Sequence, residues 1–178
     1  MAAALTHRLA TLADLPALTA LMARSIEELQ QPFLDPPTLE ASKATMGLDT
    51  QLIEDGTYFL IEDGGRLAGC GGWSARATLF GGDHSAGRDT RMLDPATEPA
   101  RVRAMYTHPD FVRRGVGRLV IGLCEGAAQA AGFRSVTLVA TLAGEPFYRA
   151  CGYGEVERFN AETPGGAVPL VRMVKTLL

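Results

Sequence analysis

The sequence predicts a mixed α/β domain built around one sheet, and three observations lead to this prediction. The chain has 178 residues, of which 47% are hydrophobic and 21% charged, so a disordered, collagen-like or coiled-coil protein is excluded. Apolar runs with the period of a strand alternate along the chain with apolar runs of helical period. The length suits one domain over residues 1–178, which would bury roughly 70% of its unfolded surface.

The order of elements follows from these periods and from the Gly, Pro and Asp residues between them. In chain order we predict a strand over 5–9, a helix from 14 that ends before 32, a helix over 38–47 extended by a turn to 54, strands over 57–61 and 66–73 joined as a hairpin, a loop over 75–100, a strand over 101–107, a helix over 115–132, a strand over 134–140, a helix over 144–151, and strands over 155–159 and 168–175. A loop as long as 75–100 is usually functional or mobile. The glycines of the 66–73 strand indicate either a close approach by another group or a bulge.

Charge and cysteine content exclude several classes of partner and site. The 17 basic and 20 acidic residues give a net charge of −3, which offers no general attraction for nucleic acid or an anionic membrane. Cys70, Cys124 and Cys151 are widely spaced, without a CxxC pair, and the chain has 3 histidines. We therefore expect no metal site and no disulfide, and reduced thiols in a cytoplasmic protein. No apolar run reaches the ~18 residues that a transmembrane helix needs.

The segment 101–118 departs from the acidic balance of the chain. It holds five arginines and one aspartate, and it is predicted to run from a strand through a turn into a helix. Gly115 and Gly117 let backbone N–H groups converge at the helix N-terminus, which favours a bound anion such as phosphate. A dinucleotide-binding fingerprint fails at Val120, where glycine is needed, and a P-loop fails after Gly122, which no Lys-Ser/Thr pair follows.

The run Arg113-Arg114-Gly115-Val116-Gly117-Arg118 resembles the acetyl-CoA pyrophosphate loop of the GNAT N-acetyltransferase superfamily. Its surroundings strengthen the resemblance. The sequence His108-Pro109-Asp110 comes just before it, and Phe147-Tyr148 followed by Gly152-Tyr153 resembles the closing motif of the family. The order of elements fits the family over essentially the whole chain, whereas the specific motifs lie within 101–153.

The resemblance implies a fold, a reaction and a cosubstrate. The fold would be the GNAT-type acyl-CoA N-acyltransferase fold, with a mostly antiparallel twisted sheet of six to seven strands. This sheet would splay between its fourth and fifth strands and would be flanked by about four helices. Acetyl-CoA would be the cosubstrate, without a metal, and its acetyl group would pass by direct attack to a primary amine. The acceptor would be a small-molecule amine or a peptide amine. The resemblance leaves open whether the protein forms a homodimer.

The resemblance also assigns roles by position. Backbone groups of Met105, Tyr106 and Thr107 would pair with the pantetheine arm, and a bulge amide near Met105 or Tyr106 would polarise the thioester carbonyl. Tyr148 would be the general acid that protonates the departing thiolate, and Thr141 stands where many relatives have an asparagine that contacts CoA. The expected pyrophosphate ligands are the backbone N–H groups of Arg113, Arg114, Gly115, Val116, Gly117 and Arg118.

Other positions depart from the family pattern or point to the acceptor. Arg101 and Val136 occupy positions where some relatives carry a catalytic glutamate, so no general base carries over. The amine would then lose its proton to water or to a residue of the 75–100 loop. Trp73 and Arg76 follow the hairpin and are candidates for the acceptor cleft, although Trp73 fits core packing equally well.

Two further functions stay open on the sequence alone. One is a non-catalytic acyl-CoA-binding or regulatory module, which the missing base favours and the retained Tyr148 opposes. The other is transfer of an acyl group other than acetyl. The segments 30–55 and 75–100, which would line the acceptor side, contain no readable motif. For His108 we expect a turn-stabilising role rather than that of a base.

Overall fold

Seven strands form one sheet within residues 4–178, the part of the chain that the computed structural model describes. The strands are β1 (Thr6–Leu9), β2 (Tyr58–Asp63), β3 (Arg66–Ser74), β4 (Ala100–Thr107), β5 (Ser135–Thr141), β6 (Gly154–Thr163) and β7 (Gly166–Thr176). The helices are α1 (Leu15–Gln30), α2 (Pro36–Ser42), α3 (Thr50–Glu54), α4 (Val116–Ala130) and α5 (Glu145–Ala150), with short 3-10 turns at Leu12–Asp14 and Pro109–Phe111. Their order across the sheet is β1-β2-β3-β4-β5-β7-β6, and among these strands only β4 and β5 pair in parallel. The mixed, mostly antiparallel architecture predicted from the sequence is confirmed.

The segment between α1 and β2 differs from the prediction, since it forms two short helices instead of one over 38–47. Asp35 caps α2, because its carboxylate accepts a 2.8 Å hydrogen bond from the N–H of Thr38. Asp49 caps α3 in the same way through the N–H of Gln51. Each aspartate starts a new helix, so the chain turns between them instead of continuing in one direction.

The two faces of the sheet are covered by different helices. Apolar side chains of α4 pack with β5 and β7 on one face, and those of α1 and α3 pack with β2 on the other. Gly69 and Gly71 of β3 allow α4 to lie close. A Cβ atom added at either glycine would sit 2.4 or 2.5 Å from the side chains of Val116 and Val120, respectively. The close approach expected at this glycine-rich strand is therefore that of a helix.

Candidate active site

The parallel strands β4 and β5 are joined at only one end. Ala100 and Arg101 of β4 lie opposite Val136 and Thr137 of β5, and past these two residue pairs the strands separate. A cleft of about 830 Å³ occupies the opening. Its walls come from α4 and α5 on one face of the sheet and from α1 on the other, so the cleft passes through the sheet. The predicted splay between the fourth and fifth strands is confirmed.

Strand β4 carries a bulge where it borders the cleft. Ala104 and Met105 together oppose a single residue of β3, and Ala104 takes a φ of +51°. The Tyr58 hydroxyl donates a 2.7 Å hydrogen bond to the Ala104 carbonyl oxygen and so fixes the bulge. Met105, Tyr106 and Thr107 all line the cleft, on a strand edge that β5 leaves unpaired. Such an edge can accept an extended ligand as an added strand.

The turn from β4 into α4 has the geometry of an anion site. Arg113 and Gly115 have φ angles of +63° and +85°, so the backbone reverses just before α4 begins at Val116. In the described chain no side chain caps this helix end, and the N–H groups of its first turn have no partner within the helix. Arg113, Gly115, Val116, Gly117 and Arg118 all line the cleft. An anion bound here would meet backbone N–H groups, the positive end of the helix dipole and two guanidinium groups.

Arg114 is the exception in this loop, because its side chain turns away from the cleft. Its guanidinium lies 2.6 Å from a carboxylate oxygen of Asp63 and 5.2 Å above the ring of Phe111. Arg114 is the one residue of the predicted pyrophosphate loop that does not line the cleft, and the prediction for it concerned its backbone N–H group alone. Its side chain instead ties the loop to the end of β2.

Helix α5 holds Tyr148 against the cleft. The ring of Tyr148 packs edge-on against Phe147 and Tyr153, with centroids 5.2 and 6.0 Å apart. Burial raises the pKa of the Tyr148 phenol above its ordinary value, which keeps the hydroxyl protonated at neutral pH. Thr141, at the end of β5, also lines the cleft, and its hydroxyl accepts a 3.1 Å hydrogen bond from the N–H of Gly144, which leads into α5.

The α1 side of the cleft is mainly apolar, with Ser25 and Gln30 as its polar α1 residues, and sequence reasoning did not identify these residues. Ile26, Leu29 and Phe33 line the cleft from α1 and the turn after it. Their spacing of three and four residues continues the apolar stripe of α1, which is the signal that could have found them. Leu79 and Phe80 line the cleft from the loop between β3 and β4.

A buried ion-pair cluster fixes that loop beside the cleft. Arg103 of β4 donates to a carboxylate oxygen of Asp49 at 2.9 Å, and both side chains are almost fully buried. Arg88 approaches the other oxygen of Asp49 at 2.8 Å. Arg103 also donates to the carbonyl oxygens of Thr78 and Gly81, at 3.3 and 2.6 Å. The loop predicted as functional or mobile is thus anchored over the part that borders the cleft.

Trp73 and Arg76, the candidates for the acceptor side, are not among the residues that line the cleft, and Trp73 takes the core-packing alternative. Trp73 packs edge-on against Phe133 at a centroid distance of 6.1 Å, in the core beneath α4. Arg76 forms an ion pair with Asp55 at 2.7 Å. The side chain of Trp73 packs on the α4 face of the sheet, and the guanidinium of Arg76 is held by Asp55 at the end of α3.

The remaining candidate groups have structural roles. The ring of His108 accepts a 3.1 Å hydrogen bond from the N–H of Asp110 and so supports its turn. Cys70, Cys124 and Cys151 are buried free thiols, and burial raises the pKa of the Cys70 thiol to about 12. Within residues 4–178, no group of His, Cys, Asp and Glu side chains is arranged to hold a metal ion. None of the helices in this range is long and apolar enough to cross a membrane.

Solved structures with this arrangement include several N-acetyltransferases. A GCN5-related N-acetyltransferase from Rhodopseudomonas palustris superimposes with a TM-score of 0.74 at 20% identity, covering 99% of this chain and 98% of that one. PaiA N-acetyltransferase from Thermoplasma acidophilum, solved in complex with coenzyme A, gives a TM-score of 0.66 at 12% identity, covering 98% and 99%. Ribosomal-protein-alanine N-acetyltransferase from Brucella melitensis gives 0.64 at 19% identity, covering 97% and 99%. These likenesses establish a shared fold.

At the level of sequence, comparison with curated proteins gives no match. The profile of the Acetyltransferase (GNAT) family, in contrast, matches residues 21–153, which include the β4 bulge, the turn into α4 and Tyr148. Because this match covers well over half of the chain, the protein belongs to the GNAT acetyltransferase family.

Proposed function

We propose that this protein is an N-acetyltransferase that moves the acetyl group of acetyl-CoA to a primary amine by direct attack. The observation that carries the proposal is the cleft through the sheet. It joins an anion site at the start of α4 to an apolar chamber beside α1, and Tyr148 lines the passage between them. A cosubstrate with a diphosphate at one end and a reactive thioester at the other fits this arrangement.

In the proposed complex, backbone N–H groups from Arg113 to Arg118 hold the pyrophosphate, and Met105, Tyr106 and Thr107 pair with the pantetheine arm. Thr141 borders the same opening from β5. An amide of the β4 bulge polarises the thioester carbonyl, and a single donor of this kind is worth ~3–4 kcal/mol of barrier. A fixed bulge suits this task because its donor is in place before the reaction starts.

Tyr148 is the proposed general acid. As the amine nitrogen bonds to the acetyl carbon and the carbon–sulfur bond breaks, the Tyr148 hydroxyl gives its proton to the departing thiolate. General acid help of this kind is worth ~10²–10⁴-fold in rate. The raised pKa of Tyr148 supports the role, because the phenol retains its proton until the thiolate forms. The proton of the attacking amine passes to water.

Thiol release tests the proposal directly. The protein is incubated with acetyl-CoA and a panel of primary amines, and free CoA thiol is followed together with the acetylated product. Thiol released only when an amine is present, with matching product, supports acetyl transfer. Binding of CoA without turnover of any amine in the panel would contradict it. Competition by other acyl-CoA thioesters then establishes whether acetyl is the preferred group.

A second function, non-catalytic binding of acyl-CoA for regulation, has one observation in its favour. Among the described residues, no carboxylate and no imidazole lines the cleft, so the side chains that most often act as general base are absent from its lining. Tyr148 argues for the enzyme, since a binding module needs no acid. The three buried, unpaired thiols support a cytoplasmic location for either function.

A further inference from the structure

The chamber on the α1 side of the cleft has mainly apolar walls, although Ser25, Gln30 and Thr45 also line this side. Ile26, Leu29 and Phe33 form one wall, and Leu79 and Phe80 contribute to the other. Phe33 is 48% exposed although it is large and apolar, which places an aromatic ring at the mouth of the chamber. An exposed aromatic ring beside an apolar cavity is typical of a site that buries an apolar group of its ligand.

The far wall is fixed before any ligand arrives. Arg103 holds the carbonyl oxygens of Thr78 and Gly81, so the two residues between them, Leu79 and Phe80, are presented to the chamber by a clamped backbone. Phe80 also contacts the ring of Phe159 on β6, at a centroid distance of 5.9 Å. A preformed wall favours a ligand whose shape it already matches, because no loop has to be ordered on binding.

The charges at the cleft all have one sign. In the described part of the chain, its charged lining side chains are Arg103, Arg113 and Arg118, and no carboxylate lines it. Asp49 cannot neutralise the acceptor side completely, because it pairs with both Arg88 and Arg103. A permanently cationic group entering the chamber would lose its water without gaining a counter-ion, which is costly.

We propose that the acceptor is a monoamine whose amino group is carried by an apolar alkyl or aryl group, and that amines with a second positive charge are rejected. This inference rests on the proposed function and names the substrate class of the same site. The apolar group would occupy the chamber beside Phe33 and Phe80, and the uncharged amine would point through the opening towards the β4 bulge.

Matched amines test the inference. Hexylamine and phenethylamine represent the proposed class, and hexamethylenediamine and a lysine-rich peptide carry additional charge. We expect kcat/KM for hexylamine to exceed that for hexamethylenediamine by about tenfold or more, because the second ammonium of the diamine would lose its water in an apolar pocket. Equal values, or a preference for the diamine or the peptide, would overturn the inference and leave acetyl transfer intact.

A charge placed at the mouth provides the sharper test. Phe33→Glu supplies a carboxylate for a second ammonium, so kcat/KM should fall about tenfold for hexylamine and rise for hexamethylenediamine. Leu12→Glu adds the same charge at an exposed apolar residue outside the cleft and should leave the preference unchanged. An unchanged preference in Phe33→Glu would contradict the assignment of the chamber.

Calorimetric titration with CoA distinguishes a failure of the proposed acetyl transfer from a failure of the proposed acceptor class. Both variants should bind CoA as the unmodified protein does, because neither Phe33 nor Leu12 belongs to the turn into α4 that forms the anion site. Failure of the unmodified protein to bind CoA would count against the proposed function itself. Binding of CoA together with turnover of charged amines alone would count only against the acceptor class.

Discussion

The chemistry proposed for Tyr148 depends on how its neighbours hold the ring. Gly117 at the start of α4 leaves room for Phe147, since a Cβ atom there would lie 2.9 Å from the ring of Phe147. Phe147 in turn packs edge-on against Tyr148. The second glycine of the loop therefore sets the spacing between α4 and α5, in addition to opening the anion site.

Replacing Tyr148 with Phe removes the hydroxyl and keeps the ring packing. We expect Tyr148→Phe to lower kcat by ~10²–10⁴-fold, with little change in the Kd for acetyl-CoA, because the proton donor is lost and the cofactor contacts remain. Steady-state kinetics and calorimetry measure the two effects. Tyr153→Phe is the control: its hydroxyl bonds to Glu125, so it should cost ~1 kcal/mol of stability and preserve turnover. Equal turnover in both variants would remove Tyr148 as the acid.

A methyl group at Gly117 should act through Phe147. We expect Gly117→Ala to lower both the free energy of unfolding and kcat, since the ring must move and Tyr148 moves with it. Gly122→Ala on the same helix meets no atom within 4 Å and should stabilise the protein by up to ~1 kcal/mol. Denaturant unfolding and turnover assays compare the pair. Equal stabilisation by both substitutions would refute the packing role.

At the scale of elements, the loop between β3 and β4 is held by buried ion pairs in addition to the apolar packing of Leu93 and Phe80. The carboxylate of Asp49, at the start of α3, forms ion pairs with Arg103 of β4 and with Arg88 of the loop. The Tyr106 hydroxyl accepts a 2.8 Å hydrogen bond from the N–H of Gly47, which ties the segment before α3 to the same strand. Together these bonds attach the apolar wall of the cleft to β4.

Removing the charge of Asp49 should loosen this assembly. Asp49→Asn leaves Arg103 buried without a counter-ion, and breaking such a pair costs ~3–5 kcal/mol. Glu157→Gln, which breaks an exposed pair with Arg172, should cost at most ~1 kcal/mol. Free energies of unfolding from denaturant titration measure both. A loss as small in Asp49→Asn as in Glu157→Gln would show that the cluster does not hold the loop.

At the scale of the whole molecule, features formed by consecutive residues could be predicted from the sequence. Features formed by residues from distant segments could not. The turn from Arg113 to Arg118 was readable because its glycines and arginines act within six consecutive residues. The apolar chamber was not, because Phe33 and Phe80 come from distant segments that meet only after folding. For Trp73 the sequence left core and cleft as equal alternatives, because the face to which a strand residue points depends on register, and a one-residue shift reverses it.

No carboxylate and no imidazole belongs to the described cleft lining, so the pH dependence of kcat/KM should follow the ionisation of the amine acceptor. Only the uncharged amine can attack, so kcat/KM should rise with pH up to the pKa of the acceptor itself. Burial raises the pKa of Tyr148, so the alkaline fall from loss of the acid should lie above the ordinary tyrosine range near ~10. Profiles for two acceptors of different pKa should be displaced by that difference. A shared rising limb for both acceptors would instead reveal a base on the protein.

The central claim is that backbone N–H groups at the start of α4 bind a diphosphate and thereby place a thioester in the gap between β4 and β5. Calorimetric titration with CoA, with dephospho-CoA, which keeps the diphosphate, and with pantetheine, which lacks the diphosphate and the nucleoside, tests it most directly. The account predicts that CoA and dephospho-CoA both bind at least ~100-fold more tightly than pantetheine, because several charge-assisted hydrogen bonds are lost with the diphosphate. Equal affinity for dephospho-CoA and pantetheine, or no heat on addition of CoA, would contradict it.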